Sequence, residues 1–358
     1  MRFVFKTKYQ QDINVWRHPG DLFWYGLLLV LMLLAPLALD DFYMGELAAV
    51  LIWAVAGVGL MLLVGFTGLV SLGHAAFLGI GAYTNAWLLG QGVPFLISFP
   101  VAGLAAAAAG VAIGVPTLRM TGIYLAIATL AFAIIVEHIF SKWSSVTGGF
   151  DGLPVDAPDL FGYELWEPWE FYYLCLAVLV LVLWMAANVL RSPFGRAMVA
   201  IRDSEISAQS MGINLAWTKT LAFAFSAGIT GLGGALFGHY VQHLAPDSFN
   251  ILLSIQLLLM VVVGGVGSLH GAVFGAMFIG VLPQSIAILR DYLPPAIGQT
   301  PGLEPGIFGL ILVLIILFEP LGIYGRWLKI KLYFNLFPLY KKATFRRQKA
   351  YLKTERLR

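Results

Sequence analysis

RSPFGRAMVAIRDSEISAQSMGINLAWTK, residues 191–219, is a polar island between two strongly apolar segments. It carries Arg191, Arg196, Arg202 and Lys219 against Asp203 and Glu205, too many charges to sit in lipid. Its pattern is also too regular for a slack loop. Ser192 followed by Pro193 starts a helix, an N-cap and then a residue whose missing N–H costs nothing in the first turn. Ala197, Ile201, Ser204, Ala208 and Met211 share one face at helical spacing, with Arg202, Asp203, Glu205 and Gln209 away from it. Gly212 ends that helix and Asn214 caps the next. The expectation is helix, tight turn, helix. A helix lying on lipid needs large apolar side chains to plunge in. This stripe has no Trp, Phe or Leu, and suits a groove in another protein better.

The apolar flanks decide the fold class. Of 358 residues, 59% are hydrophobic and 11% charged, with mean hydropathy +0.84. A soluble domain carries roughly 25% charged residues, so this chain cannot cover itself with a solvated surface. No Lys, Arg, Asp or Glu occurs between Glu46 and Arg119. Apolar runs of about 20 residues match what a helix needs to cross ~30 Å of hydrocarbon. They are continuous, not alternating, which excludes a membrane β-barrel. The chain reads as an all-α polytopic membrane protein.

Ten apolar segments stand near 22–39, 47–65, 69–90, 97–115, 121–140, 171–190, 219–241, 250–265, 269–290 and 306–323. They predict about ten transmembrane helices, or eight if two segments only dip in. The short segment 250–265 ends in Gly264-Gly265 and is the candidate for a re-entrant or broken helix.

Loop charge sets orientation. Residues 1–21 hold Arg2, Lys6, Lys8 and Arg17 with fewer acids, and residues 326–358 hold eleven Lys or Arg against Glu355. Both termini are expected in the cytoplasm, which requires an even number of crossings. Residues 40–46 carry three acids and no base, and residues 141–170 carry six acids against Lys142; both fall outside. Arg119 and 191–219 fall inside. The expected division is a cytoplasmic segment 1–21, a membrane domain 22–325 and a basic cytoplasmic tail 326–358. From Lys341 onward the tail has two readings, a contact with anionic lipid headgroups or a solvated topology signal. Nothing beyond charge suggests nucleic acid.

Glycine clusters in two related runs. Gly65 to Tyr83 contains Gly68, Ser71, Gly73, His74, Phe77, Gly79 and Gly81; Gly264 to Gly275 contains Gly267, Ser268, His270, Gly271 and Phe274. Small residues let helix backbones approach closely in a membrane. The shared order Ser-Leu, His, Ala, Phe, Gly suggests an internal repeat of the kind common in transporters. GxxxG spacing recurs at Gly110/Gly114, Gly234/Gly238 and Gly271/Gly275. Ser71, Gly73, His74, Ser268 and His270 are candidates for the translocation pathway, because polar groups at membrane depth are costly. A His satisfied by a neighbouring carbonyl is the structural alternative.

Other features offer less. His239 and His243 lie four apart, but no Glu stands between them for an HExxH zinc site, so they read as interfacial. Cys175, the one cysteine, reads as packing. The outer stretch SSVTGGFDGLP, 144–154, has turn chemistry throughout; Thr147, Gly148, Gly149 and Gly152 form either a plain turn or a contact surface. No metal site, bound cofactor or catalytic set of His, Asp, Glu or Cys is predicted.

Together SLGHAAFLGIGAY (71–83), TGGFDGLP (147–154), AIRDSEISAQSMGIN (200–214), GITGLGGALFG (228–238) and GGVGSLHGAVFGA (264–276) resemble the LivH/LivM-type permease subunits of ABC importers for branched-chain amino acids. The extra amino-terminal span and long outer loop look more like the LivM-type subunit. The resemblance implies a type II importer fold in the bacterial cytoplasmic membrane. It implies a LivH-type heterodimer partner, two cytoplasmic ATPases that use ATP and Mg, and an external solute-binding protein. It also implies a coupling helix within 192–212, with Glu205, Ala208 and Gly212 matching a degenerate E-x-x-A-x-x-x-G pattern and Arg202 and Asp203 beside it. The chain itself has no G-x-x-x-x-G-K-[ST] loop, so an ATP-driven mechanism needs a separate ATPase. Family cargo includes Leu, Ile and Val, and also urea and short amides. An ion-coupled secondary transporter is the alternative from another class, weakened by the lack of acids within spans two to four.

Overall fold

The computed structural model describes residues 19–116, 120, 122–160, 162–291, 303–319 and 321–336. Arg119, residues 1–18 and the tail from 337 lie outside the described residues.

Helix follows helix in the order α1 (Pro19–Leu34), α2 (Asp41–Thr67), α3 (His74–Gly90), α4 (Phe95–Gly114), α5 (Ile123–Lys142) and α6 (Pro168–Arg191). The island forms α7 (Pro193–Asp203) and α8 (Glu205–Ser210). There follow α9 (Leu215–Val241), α10 (Ile251–Gly264), α11 (Leu269–Asp291), α12 (Leu303–Phe318) and α13 (Gly322–Leu336). Among the described residues, seven helical segments are long and apolar enough to cross a membrane; α3 has 17 residues, and α1 and α12 are also short. The boundary expected at 326 falls inside α13.

α2 and α9, each 27 residues, form the centre. Of their apolar windows, 83% and 67% are buried by protein, against 28% for α4 and α5. At 1.5 Å per residue each central helix is about 40 Å long, enough to span with margin. α9 packs on α2, α3 and α4, and α11 packs on α2 and α10. Small residues allow this closeness. A methyl group on Gly234 of α9 would overlap the Leu78 carbonyl oxygen, and one on Gly81 of α3 would overlap Gly231. Lipid offers no hydrophobic drive for helices to associate, so dispersion at such crossings holds the bundle together.

The helix ends sort into two groups. Gly65, Arg202 and Gly267 meet at one end, here the island end. Residues 147–156 meet 239–244 at the other, the loop end. α10 starts in an aromatic cluster of Tyr83, Phe140, Phe237 and Phe249 toward the loop end and finishes beside Gly65. It therefore connects the two ends instead of folding back.

The chain is not helical throughout. Among the described residues, the loop end holds four two-residue strands: β1 (Leu153–Pro154) pairs with β4 (His243–Leu244), and β2 (Asp159–Leu160) with β3 (Tyr163–Glu164), both antiparallel.

Candidate functional site: the island and what it grips

At the start of α7 the Ser192 Oγ accepts from the Gly195 N–H at 3.3 Å, with Pro193 in the first turn. At the far side Gly212 adopts φ +84°, and the Asn214 Oδ1 caps α9 by accepting from Trp217 N–H at 3.1 Å. Between them the single helix expected over 193–211 is broken. Ser204 is extended (φ −165°, ψ 113°), and its Oγ accepts from Ser207 N–H at 3.3 Å. A Ser followed by an acid is a better helix start than a helix interior, so capping wins over continuation.

The break shifts the helical phase and changes what the faces do. Met198, Ile201 and Ala208 are buried as one stripe, but Met211 is 83% exposed and Ile206 is 84% exposed. The outer face of the island is thus apolar at two points. Trp217, at the foot of α9, adds a third at 64%.

The stripe expected to fit a partner's groove is instead covered by this chain at Ile201 and Ala208, and Arg202 and Glu205, expected away from that stripe among the coupling residues, both bond to the bundle. Arg202 Nη1 donates to the Gly65 carbonyl at 3.1 Å, and its Nη2 lies 3.1 Å from Asp203 Oδ1. Glu205 Oε2 lies 2.8 Å from Nζ of Lys219, whose side chain is only 4% exposed. Asp203 stays on the surface, and a methyl on Gly212 would meet open space.

The two glycine runs take the same form, helix, turn, helix: α2 into α3, and α10 into α11. Their turns touch, since the Gly267 N–H donates to Met61 Sδ at 3.3 Å and a Cβ on Gly65 would lie 2.8 Å from Gly267 N. Their histidines are not brought together. His74 is wholly buried between Ser71 Oγ (2.9 Å from Nδ1) and Ser226 Oγ (2.8 Å from Nε2). Ser226 donates to the Gly59 carbonyl at 2.7 Å, so its oxygen accepts from Nε2–H, and Ser71 donates to Nδ1. This neutral tautomer satisfies every polar atom in the chain of bonds. Gly73 is pressed against the Thr129 carbonyl at 2.5 Å from a would-be Cβ. Ser268 caps α11, accepting from Gly271 N–H at 2.9 Å. His270 stacks on Tyr324 (5.4 Å, 5°) and hydrogen-bonds the Tyr25 hydroxyl at 2.7 Å, tying α11 to α13 and α1.

At the loop end, Thr147 Oγ1 bonds the Phe140 and Trp143 carbonyls at 2.6 and 2.8 Å. Gly148, Gly149 and Gly152 all have φ between +66° and +76°, which is why this turn is written in glycine. His239 is 6% exposed, not interfacial: Asn85 Nδ2 donates to its Nε2 at 2.9 Å, and its Nδ1–H meets the Asp156 carbonyl at 2.7 Å. It clamps the segment at Asp156 to α9. His243 Nε2 bonds the Asp151 carbonyl at 3.1 Å. Outside the spans, the Tyr163 phenol is held above its ordinary pKa by its hydrogen bond to Glu170.

Ser226 and the buried partner role of Lys219 are what residue patterns did not single out. Lys219 had a signal: an ammonium near the start of an apolar span demands a partner. No cluster of three or more His, Cys, Asp or Glu that could hold a metal occurs among the described residues.

The sequence pattern described as "Branched-chain amino acid transport system / permease component" matches residues 43–318. The chain is 34% identical over 298 residues to the high-affinity branched-chain amino acid transport system permease protein LivM of Escherichia coli (strain K12), covering 76% of this chain and 68% of that protein. It is 24% identical over 214 residues to the probable LivM of Methanocaldococcus jannaschii, covering 58% and 61%. It is 26% identical over 280 residues to the autoinducer 2 import system permease protein LsrC of Salmonella paratyphi B, covering 74% and 78%. No solved structure matches. With its helical bundle and a family match across most of its length, this chain belongs to the branched-chain amino acid transport permease component family.

Proposed function

We infer that this chain is a LivM-type permease subunit of an ABC importer, forming half of a pathway for Leu, Ile and Val. Its other half is a LivH-type permease, cytoplasmic ATPases that bind ATP and Mg dock at the island, and an external solute-binding protein delivers cargo at the loop end. The reading includes about ten crossings of the bacterial cytoplasmic membrane with both termini inside. One observation carries it: a capped two-helix element at one end of a permease-family bundle presents Ile206 and Met211 outward at 84% and 83% exposure. Two large apolar side chains held in water by a rigid element are the pattern of a partner-binding anchor.

Family cargo is not uniform, since the LsrC relatives are named for autoinducer 2. The more similar LivM relatives favour branched-chain amino acids. The test is reconstitution of both permeases, the ATPases and the binding protein in proteoliposomes. Leucine uptake should require ATP inside and binding protein outside, and should be competed by isoleucine and valine but not by urea or short amides. Competition by urea or an amide reassigns the cargo. Uptake on an ion gradient without ATPases overturns the importer reading.

A further inference from the structure

The island makes polar bonds to the bundle at two points only three residues apart, and to different helices. On one side of the Ser204 break, Arg202 at the end of α7 grips α2 through the Gly65 carbonyl at 3.1 Å, and lies over Gly68 and Gly267. On the other side, Glu205 at the start of α8 is joined to Lys219 of α9 at 2.8 Å. α9 is the helix on which α2, α3 and α4 pack, and it carries Ser226, the partner of His74. A movement of α8 therefore has a direct polar route to α9, while α7 is bonded to α2 through Arg202 and packs on α9 through Phe194 against Phe225, ring centroids 5.8 Å apart.

The chemistry of Lys219 makes this route strong. An ammonium buried to 4% side-chain exposure is costly unless paired. Glu205 is the carboxylate that pairs it, and cannot leave for a basic group on another protein without stranding that charge.

We propose that Lys219 is a positioning residue that fastens α8 to α9 through Glu205, so that an ATPase docked on Ile206 and Met211 drives α9, while Arg202 keeps α7 with α2 and the 264–268 turn. The proposal rests on the importer-permease reading. It differs from that reading in giving Glu205 an inward role instead of a contact with the ATPase.

The test uses the complete complex in proteoliposomes and measures leucine uptake per ATP hydrolysed. Lys219→Gln lowers that ratio about tenfold, the scale of a typical coupling free energy. Lys219→Arg, which keeps the cation, restores much of it. The exchange Glu205→Lys with Lys219→Glu recovers coupling that Glu205→Lys alone abolishes. Amide hydrogen exchange on purified protein gives a second measure: Lys219→Gln speeds exchange across 205–210 and leaves 193–203 near wild type. An unchanged uptake ratio in Lys219→Gln overturns the proposal, as does equal loosening of both segments. So does a folded charge-exchanged protein no better coupled than Glu205→Lys. If the wild-type complex shows no ATP-driven uptake, the importer reading has failed; the hydrogen-exchange pattern then still decides whether the tether exists.

Discussion

Arg202 Nη1 lies 3.1 Å from the carbonyl oxygen of Gly65, in the last turn of the central helix α2. The final carbonyls of a helix lack intrahelical donors and carry partial negative charge, so a guanidinium there is doubly favourable. Gly68, at φ +74°, turns the backbone away beneath it, and a Cβ at that position would be 3.0 Å from Arg202 Cγ.

Arg202→Met should remove a charge-assisted bond worth about 1 kcal/mol at this half-exposed site, without emptying the core. The expected result is a small fall in Tm in detergent. A larger loss of leucine uptake should accompany it, because the island is no longer fixed to α2. Equal Tm and equal uptake would show that the contact has no role.

Ser226→Ala tests the His74 chain. The substitution leaves a buried imidazole N–H without its acceptor and removes the second donor to the Gly59 carbonyl, which keeps its helical bond. The orphaned N–H costs about 1–3 kcal/mol. A clear drop in Tm is expected, with cargo selectivity unaltered in the folded fraction. A change in which amino acids compete for uptake would instead put His74 in the pathway.

Glycine contacts separate positions that look alike in sequence. Gly234→Ala drives a methyl into the Leu78 carbonyl, whereas Gly45→Ala in α2 meets nothing within 4 Å. The first should force α9 off α3, with a penalty of about 1–3 kcal/mol or more. The second should be neutral, or stabilising by up to ~1 kcal/mol through helix propensity. Yield of monodisperse protein after solubilisation distinguishes them. A well-behaved Gly234→Ala protein would show that the helices do not touch there.

How much of this was legible follows from the kind of signal each feature leaves. Apolar runs located the helices, because they are dictated by the membrane and need no knowledge of neighbours. The caps at Ser192, Gly212 and Asn214 are local chemistry and were readable for the same reason. The break at Ser204 was not: helical spacing of Ala197, Ile201 and Ala208 continues across it, and only a cap bond to Ser207 interrupts the phase. The inward turn of Arg202 and Glu205 also escaped, since their partners Gly65 and Lys219 are 137 and 14 residues away. His239 looked interfacial beside His243, and partners distant in sequence, Asn85, Phe95 and the 153–156 segment, bury it.

Sidedness and docking can be read together by thiol labelling. Cys175 is the one cysteine and is wholly buried, so a membrane-impermeant maleimide should leave the wild-type protein unlabelled. Ile206→Cys and Phe150→Cys place thiols at positions 84% and 70% exposed, at opposite ends of the bundle. In oriented vesicles the first should label only from the cytoplasmic face and the second only from the outside. Labelling of both from one face would overturn the orientation drawn from loop charge. Adding the ATPases should then protect Cys at 206 while leaving Cys at 150 reactive, because the apolar face of α8 becomes the covered one. Continued fast labelling at 206 in a complex that co-purifies with its ATPases would move the docking surface away from α8.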